Sequence, residues 1–171
     1  MSLVCKAETQ SPAIYKEIII PVLLNMPTYV CHTSPGRLSP DQKRRIVNAI
    51  TVAHAEETNV PKYLVQVIFQ EVNAEQQYIN ELAVPADQIW IRGDIRSGRT
   101  DEQKGSLINR MMALSSDACD IDASYFWVYL CDIPKMAEFG SLLPVPGEEG
   151  PWSRSLPGEV KKRYQFDEGN F

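Results

Sequence analysis

Ser39-Pro-Asp-Gln-Lys-Arg-Arg-Ile-Val-Asn-Ala-Ile-Thr-Val-Ala-His54 has a second version in the same chain. Offset by 61 residues, it begins Thr100-Asp-Glu-Gln-Lys-Gly-Ser-Leu-Ile-Asn-Arg-Met-Met-Ala-Leu114. Each copy starts with a hydroxyl residue followed three positions later by glutamine, the pattern of a reciprocal helix cap. Pro40 takes the first helical position, where a missing N–H costs nothing. Asp41, Asp101 and Glu102 suit the positive end of a helix dipole. Ile46, Ala49, Ile50 and Ala53 recur at the spacing of one helical face, as do Leu107, Met111 and Leu114. At the same offset Val65-Gln-Val-Ile-Phe69 lines up with Phe126-Trp-Val-Tyr-Leu130, and Pro27-Thr-Tyr-Val30 with Gln88-Ile-Trp-Ile91. These runs are rich in β-branched and aromatic residues and are expected to be strands.

The repeat therefore predicts an α/β (α+β) fold of two β-α-β units, about 27–72 and 88–133, forming a four-stranded sheet with both helices on one face. The other face is expected to carry Tyr29, Trp90 and Trp127. Nothing in the repeat covers it, so self-association is expected. Past Leu130, Pro134, Pro144, Pro146, Gly147, Gly150, Pro151, Pro157 and Gly158 interrupt any regular element, so 134–171 is expected to be an extended arm with a frayed end at 167–171.

At 171 residues the chain suits one domain rather than two. A formal net charge of −5 argues against nucleic-acid or anionic-membrane partners. Cys5, Cys31, Cys119 and Cys131 show neither a C-x-x-C pair nor zinc spacing. Reduced, buried thiols in a cytosolic protein are the expectation. His32 and His54 are the only histidines and neither sits in a ligand cluster, so no metal is expected.

Residues 1–26 stand apart as an extension. Ile18-Ile-Ile-Pro-Val-Leu-Leu24 is too short to span a bilayer, and no basic start or small-residue cleavage site marks a signal peptide. A mis-assigned start, a cleaved leader and an added edge strand all remain open. The choice matters because of Met26-Pro27. A chain that starts at Pro27 carries a free secondary amine, and α-amino groups titrate at about 7.7 to 8.0. With residues 1–26 attached the same nitrogen is an amide and does no proton chemistry.

Several further residues have chemical potential, each with a plainer alternative. Arg96-Ser-Gly-Arg99 sets two guanidinium forks before a helix N-terminus, a strong carboxylate site, or else two solvated loop arginines. His54 ends the apolar stripe of the first helix and by itself is a capped or surface histidine. Tyr129 lies in an apolar strand and by default is core. Glu138, within Met136-Ala-Glu-Phe139, has apolar neighbours that would raise its pKa and suit it to general-base work. Otherwise it is a solvated loop acid.

Taken together, Pro27, His54, Arg96, Arg99, Tyr129 and Glu138 resemble the active-site set of the tautomerase superfamily, most closely its cis-3-chloroacrylic acid dehalogenase branch. The resemblance covers 27–152. It also runs through Gly36-Arg-Leu-Ser-Pro40, Gln66-Val-Ile-Phe-Gln-Glu71, Lys104-Gly-Ser-Leu107 and Leu143-Pro-Val-Pro-Gly147, and leaves 153–171 as a tail. It departs in being one residue shorter between Pro134 and Glu138, and in the connection 72–88 that would shape the pocket mouth.

The resemblance implies a homotrimer that uses no cofactor or metal and acts on a small carboxylic acid. Arg96 and Arg99 would hold the carboxylate, helped by His54. Glu138, oriented with Tyr129, would activate water, and Pro27 would move a proton to or from carbon. Two other readings stand beside this one. The chain would be a non-catalytic trimeric binding protein if residues 1–26 block Pro27, or a keto-enol tautomerase of aryl pyruvates.

Overall fold

The computed structural model describes residues 26–144, 152 and 154–164. Its elements run β1 (Thr28–Thr33), α1 (Pro40–Thr58), β2 (Gln66–Glu71), β3 (Tyr78–Ile79), β4 (Leu82–Ala83), β5 (Ile89–Arg96), α2 (Asp101–Cys119), β6 (Phe126–Ile133), β7 (Ala137–Glu138), β8 (Ser141–Leu142) and α3 (Gly158–Arg163), with 3₁₀ turns before β2, β3 and β6. The extension 1–25, most of Leu143-Pro-Val-Pro-Gly147 and the end at 165–171 lie outside the described residues.

Both helices begin as the caps require. Ser39 Oγ accepts from the Gln42 backbone N–H at 3.2 Å while Gln42 Oε1 accepts from the Ser39 N–H at 3.0 Å. Thr100 and Gln103 do the same, both at 3.1 Å. Each helix is 19 residues long and ends at a left-handed residue, Asn59 or Asp120. The side-chain amide of Gln42 also donates to the carbonyl of Cys119 at 2.9 Å, tying the start of α1 to the end of α2.

The sheet order is β2-β1-β5-β6. Strands are parallel within each unit, and the units join antiparallel through β1 and β5. Both helices cover one face. Ile46, Ile50, Ala53, Leu107 and Met111 meet Tyr29, Cys31, Ile89, Ile91, Ile95, Phe126 and Val128 in one core. Truncating a fully buried member such as Ile50 or Met111 to alanine would cost about 2 to 5 kcal/mol.

One detail of the repeat differs from the sequence expectation. The helices and the 3₁₀ turns after them correspond at 61 residues, but the ladders set Thr28 against Gln66 and Ile89 against Phe126. The first strands therefore correspond at 62, so Pro27 matches Ile89 rather than Gln88, and the strand-to-helix connection is one residue shorter in the second unit. A slip of one residue reverses the face of every side chain. Tyr29 accordingly points at the helices and is fully buried.

The face opposite the helices does carry Trp90 and Trp127, together with His32, Ile68 and Tyr129. His32 stacks on Trp90 at 4.7 Å, and Trp90 meets Tyr129 edge-on at 5.7 Å. Tyr129, expected in the core, is 50% exposed because its strand parity puts it on this uncovered face.

The arm after β6 has more structure than its prolines imply. β7 and β8 pair as a hairpin, turned through Phe139 and Gly140 at positive φ, and α3 follows. Residues between β2 and β5 also form a hairpin, with Asn80 and Glu81 at positive φ in its turn. Among the described residues, no helix is long and apolar enough to cross a membrane.

Candidate active site

Pro27 ends the β1 ladder. It is buried, and its carbonyl accepts from the Gln66 N–H at 3.0 Å. Across the central pair Thr28 faces Asp94; carried one residue further, this register sets Pro27 beside Ile95, next in sequence to Arg96. Pro27 and Arg96 thus lie at the same end of the two central strands.

Arg96 closes β5, and Gly98, at φ 112°, turns the chain between the two arginines. That backbone conformation favours glycine, which explains the Ser-Gly spacing. The Ser97 N–H donates to the Ile133 carbonyl, and Arg99 Nη1 donates to the Arg96 carbonyl at 2.9 Å. The loop folds back on itself, and both arginines are buried, at 4% and 7% exposure. The solvated-loop alternative does not describe them. Buried guanidinium groups place strong, oriented positive charge where a carboxylate could be held.

His54 is fully buried as well, against the expectation of a capped or surface residue. The helical stripe explains this, since His54 stands one turn beyond Ile50 and its counterpart in α2 is the equally buried Ser115. The Tyr29 hydroxyl lies 2.6 Å from His54 Nδ1. Burial, with the nearby Arg99 charge adding to it, pushes the His54 pKa down to about 3, so the ring is neutral. Its Nε2 is buried and has no partner among the described residues.

Glu138 sits on β7, half-buried, with Oε2 lacking a partner among the described residues. Burial raises its pKa to about 7, and the positive charge of Arg96 only partly offsets that. Phe139, next to Glu138 in sequence, packs in a second small core. Val60, Leu64 and Leu156 pack there with Met26, Tyr63, Phe139 and Trp152. Trp152 Nε1 donates to Ser141 Oγ at 2.8 Å, and Phe139 meets Tyr164 at 4.8 Å. The carboxy-terminal segment therefore braces the hairpin that presents Glu138.

Arg96 and Arg99 share a hydrogen bond, their charges act on Glu138 and His54, and strand register sets Pro27 beside the residue before Arg96. Tyr129 is not brought to them within one chain. On the ladder it pairs with Arg92, four residues before Arg96, or about 13 Å along a strand. Among the described residues no three His, Cys, Asp or Glu side chains gather as metal ligands would.

The sequence matches the family model described as putative oxalocrotonate tautomerase enzyme over residues 26–134. The chain belongs to the tautomerase superfamily. Its place is in the branch resembling cis-3-chloroacrylic acid dehalogenase. The crystal structure of N1, a member of that dehalogenase family, is 31% identical and superposes with a TM-score of 0.74, over 81% of this chain and 98% of that one. A fused 4-OT, solved as a symmetric trimer, is 26% identical with a TM-score of 0.61, over 67% of this chain and 94% of that one. No curated protein matches the sequence.

Two residues that pack against His54 or its partner escaped the sequence reading, Tyr29 and Gly93. The alternation of Tyr29 with Cys31 and Thr33 along β1 is the signal that places it on the buried face. Gly93 lay in plain view as a glycine inside a strand, a mark of close approach by another group.

Proposed function

We propose that the chain, trimmed to begin at Pro27, is a cofactor-independent enzyme that adds water to a small unsaturated carboxylic acid. The observation that carries this reading is a half-buried carboxyl group, Glu138, that feels the charge of the buried Arg96 at the end of the sheet where Pro27 lies. Arg96 and Arg99 hold the substrate carboxylate, and the neutral His54 donates an N–H to it. Binding there draws electron density from the double bond towards the carboxylate. Glu138 takes a proton from water, whose oxygen bonds to C3. Pro27, as a secondary ammonium, gives a proton to C2.

With a cis-3-haloacrylate the product is a halohydrin, which loses a proton and halide to give malonate semialdehyde. With a 2-oxo acid the neutral proline would instead carry a proton between carbon and enol oxygen. Paired arginines plus a water-activating carboxylate exceed what simple enol transfer in aryl pyruvates requires. The assembly is a homotrimer, supported by the uncovered aromatic face and by the trimeric fused 4-OT. Free Cys31, Cys119 and Cys131 go with a reducing, cytosolic setting.

One observation favours the non-catalytic alternative. Met26 packs against Val60, Leu64 and Leu156, so a retained extension would keep this contact and turn the Pro27 nitrogen into an amide. Intact mass of the protein from its native source decides between them. A chain starting at Pro27 is expected. A stable terminus at Met1 or Ser2 would sink the enzyme reading.

A further inference from the structure

We propose that Tyr29 is the positioning residue of this site, holding His54 as the Nε2–H tautomer and aiming that N–H at the substrate carboxylate. The inference rests on the carboxylate-binding role given to His54 above, but its premise can be measured without substrate.

A fully buried hydroxyl needs an acceptor for its single proton. His54 Nδ1, at 2.6 Å, stands in that place. Burial pushes the Tyr29 pKa well above its ordinary value, so the phenol keeps its proton. A neutral imidazole has one N–H and one lone pair, and the hydrogen bond at one nitrogen decides which is where. With Nδ1 accepting from Tyr29, Nε2 must carry the hydrogen. That N–H is buried without a partner among the described residues. An anionic acceptor would supply the missing partner. On this geometry His54 is a donor, and the lone pair a general base would need is already engaged.

The tyrosine ring is itself held in place. A Cβ on Gly93 would collide with Tyr29 Cε1 and lie 2.8 Å from both Tyr29 Cδ1 and Leu130 Cδ2. The ring occupies the space that any other residue at Gly93 would fill. On the helix side the Thr58 hydroxyl donates to the His54 carbonyl at 2.6 Å, in the last turn of α1. The dyad is thus clamped between a strand glycine and a helix end, and the imidazole meets the phenol edge-on at 71°.

The test is ¹⁵N NMR of histidine-labelled protein starting at Pro27, with His32→Asn used to assign the two rings, combined with steady-state kinetics. His54 should show protonated Nε2 and bare Nδ1 throughout pH 5 to 8. Tyr29→Phe should lose that preference and raise KM for acid substrates about ten-fold, as expected when a buried nitrogen loses its hydrogen-bond partner, with a much smaller change in kcat. Gly93→Ala, which displaces the ring but keeps the hydroxyl, should move KM in the same direction. A protonated Nδ1 in the unmutated protein overturns the proposal, as does Tyr29→Phe with an unchanged tautomer or unchanged KM. If no acid is turned over, the enzyme reading fails, and the tautomer still decides the role of Tyr29.

Discussion

Glu138 and His54 show one physical cause acting in opposite directions. Burial disfavours whichever form is charged, so it raises the carboxyl to about 7 and lowers the imidazole to about 3. Both are neutral in mildly acidic solution, yet only Glu138 changes charge near neutrality. Because water activation needs the carboxylate, the rate of water addition should rise as pH increases through about 7. It should fall again as the Pro27 ammonium loses its proton, with α-amino groups titrating at about 7.7 to 8.0.

Stability should run the other way. Between about 4.5 and 7 folded Glu138 keeps a proton that the unfolded chain has released, so the fold weakens as pH rises across that window. Glu138→Gln removes this penalty. Its gain over the parent chain should grow from pH 4 to pH 8 by on the order of 1 kcal/mol, discounted for the group's remaining contact with water. Chemical denaturation at the two pH values measures it. The same variant should abolish water addition while sparing tautomerisation, whereas Arg96→Ala should weaken binding of every acid substrate. Equal loss of both activities in Glu138→Gln would remove its water-activating role.

Among the secondary-structure elements, the helices were the most legible part of the chain. Capping pairs and a four-residue stripe are local signals, and both caps formed with Ser39–Gln42 and Thr100–Gln103 as partners. The strands were legible as strands, and β5 and β6 in their facing through Trp90 and Trp127, but β1 was not. Whether Tyr29 points in or out depends on one residue of loop length between β1 and α1, which the repeat of the helices does not record. The site divides along the same line. Arg96 and Arg99 could be read from a turn motif, and Pro27 from its neighbour. The burial of His54 and the exposure of Tyr129 are properties of packing and of sheet parity. The hairpin at Glu138 was hidden because its turn uses Phe139 at positive φ, an uncommon choice for a bulky residue. Since the two caps are equivalent in geometry and stand at opposite ends of the helix pair, Ser39→Ala and Thr100→Ala should each cost about 1 kcal/mol. The double variant should cost about their sum, since separated sites add to within a few tenths of a kcal/mol. Urea midpoints for the three variants test this. A markedly larger loss for one cap would show that the two units are not energetically equivalent.

At the scale of the whole molecule, the sheet has one finished face and one unfinished one. Ile68, Trp127 and Tyr129 stand exposed on the side away from the helices, next to the His32–Trp90 stack. A patch of this kind marks a surface that associates. It also bears on Tyr129, which pairs with Arg92 on the ladder, four residues before Arg96. In the proposed trimer, association would bury Tyr129 and let it serve the Glu138 of a neighbour. A ring of three subunits has head-to-tail contacts, so each site would draw its tyrosine from one adjacent chain. This predicts complementation. Tyr129→Phe and Glu138→Gln should each be inactive in water addition as pure assemblies. When equal amounts are unfolded together and refolded, half the subunits carry Glu138 and half of their tyrosine-donating neighbours carry Tyr129. About one quarter of the sites then regain both groups if the ring assembles at random. Turnover near that fraction would place the tyrosine across the interface. If both residues acted within one chain, every subunit of the mixture would still lack one of them, and no mixing ratio would restore activity.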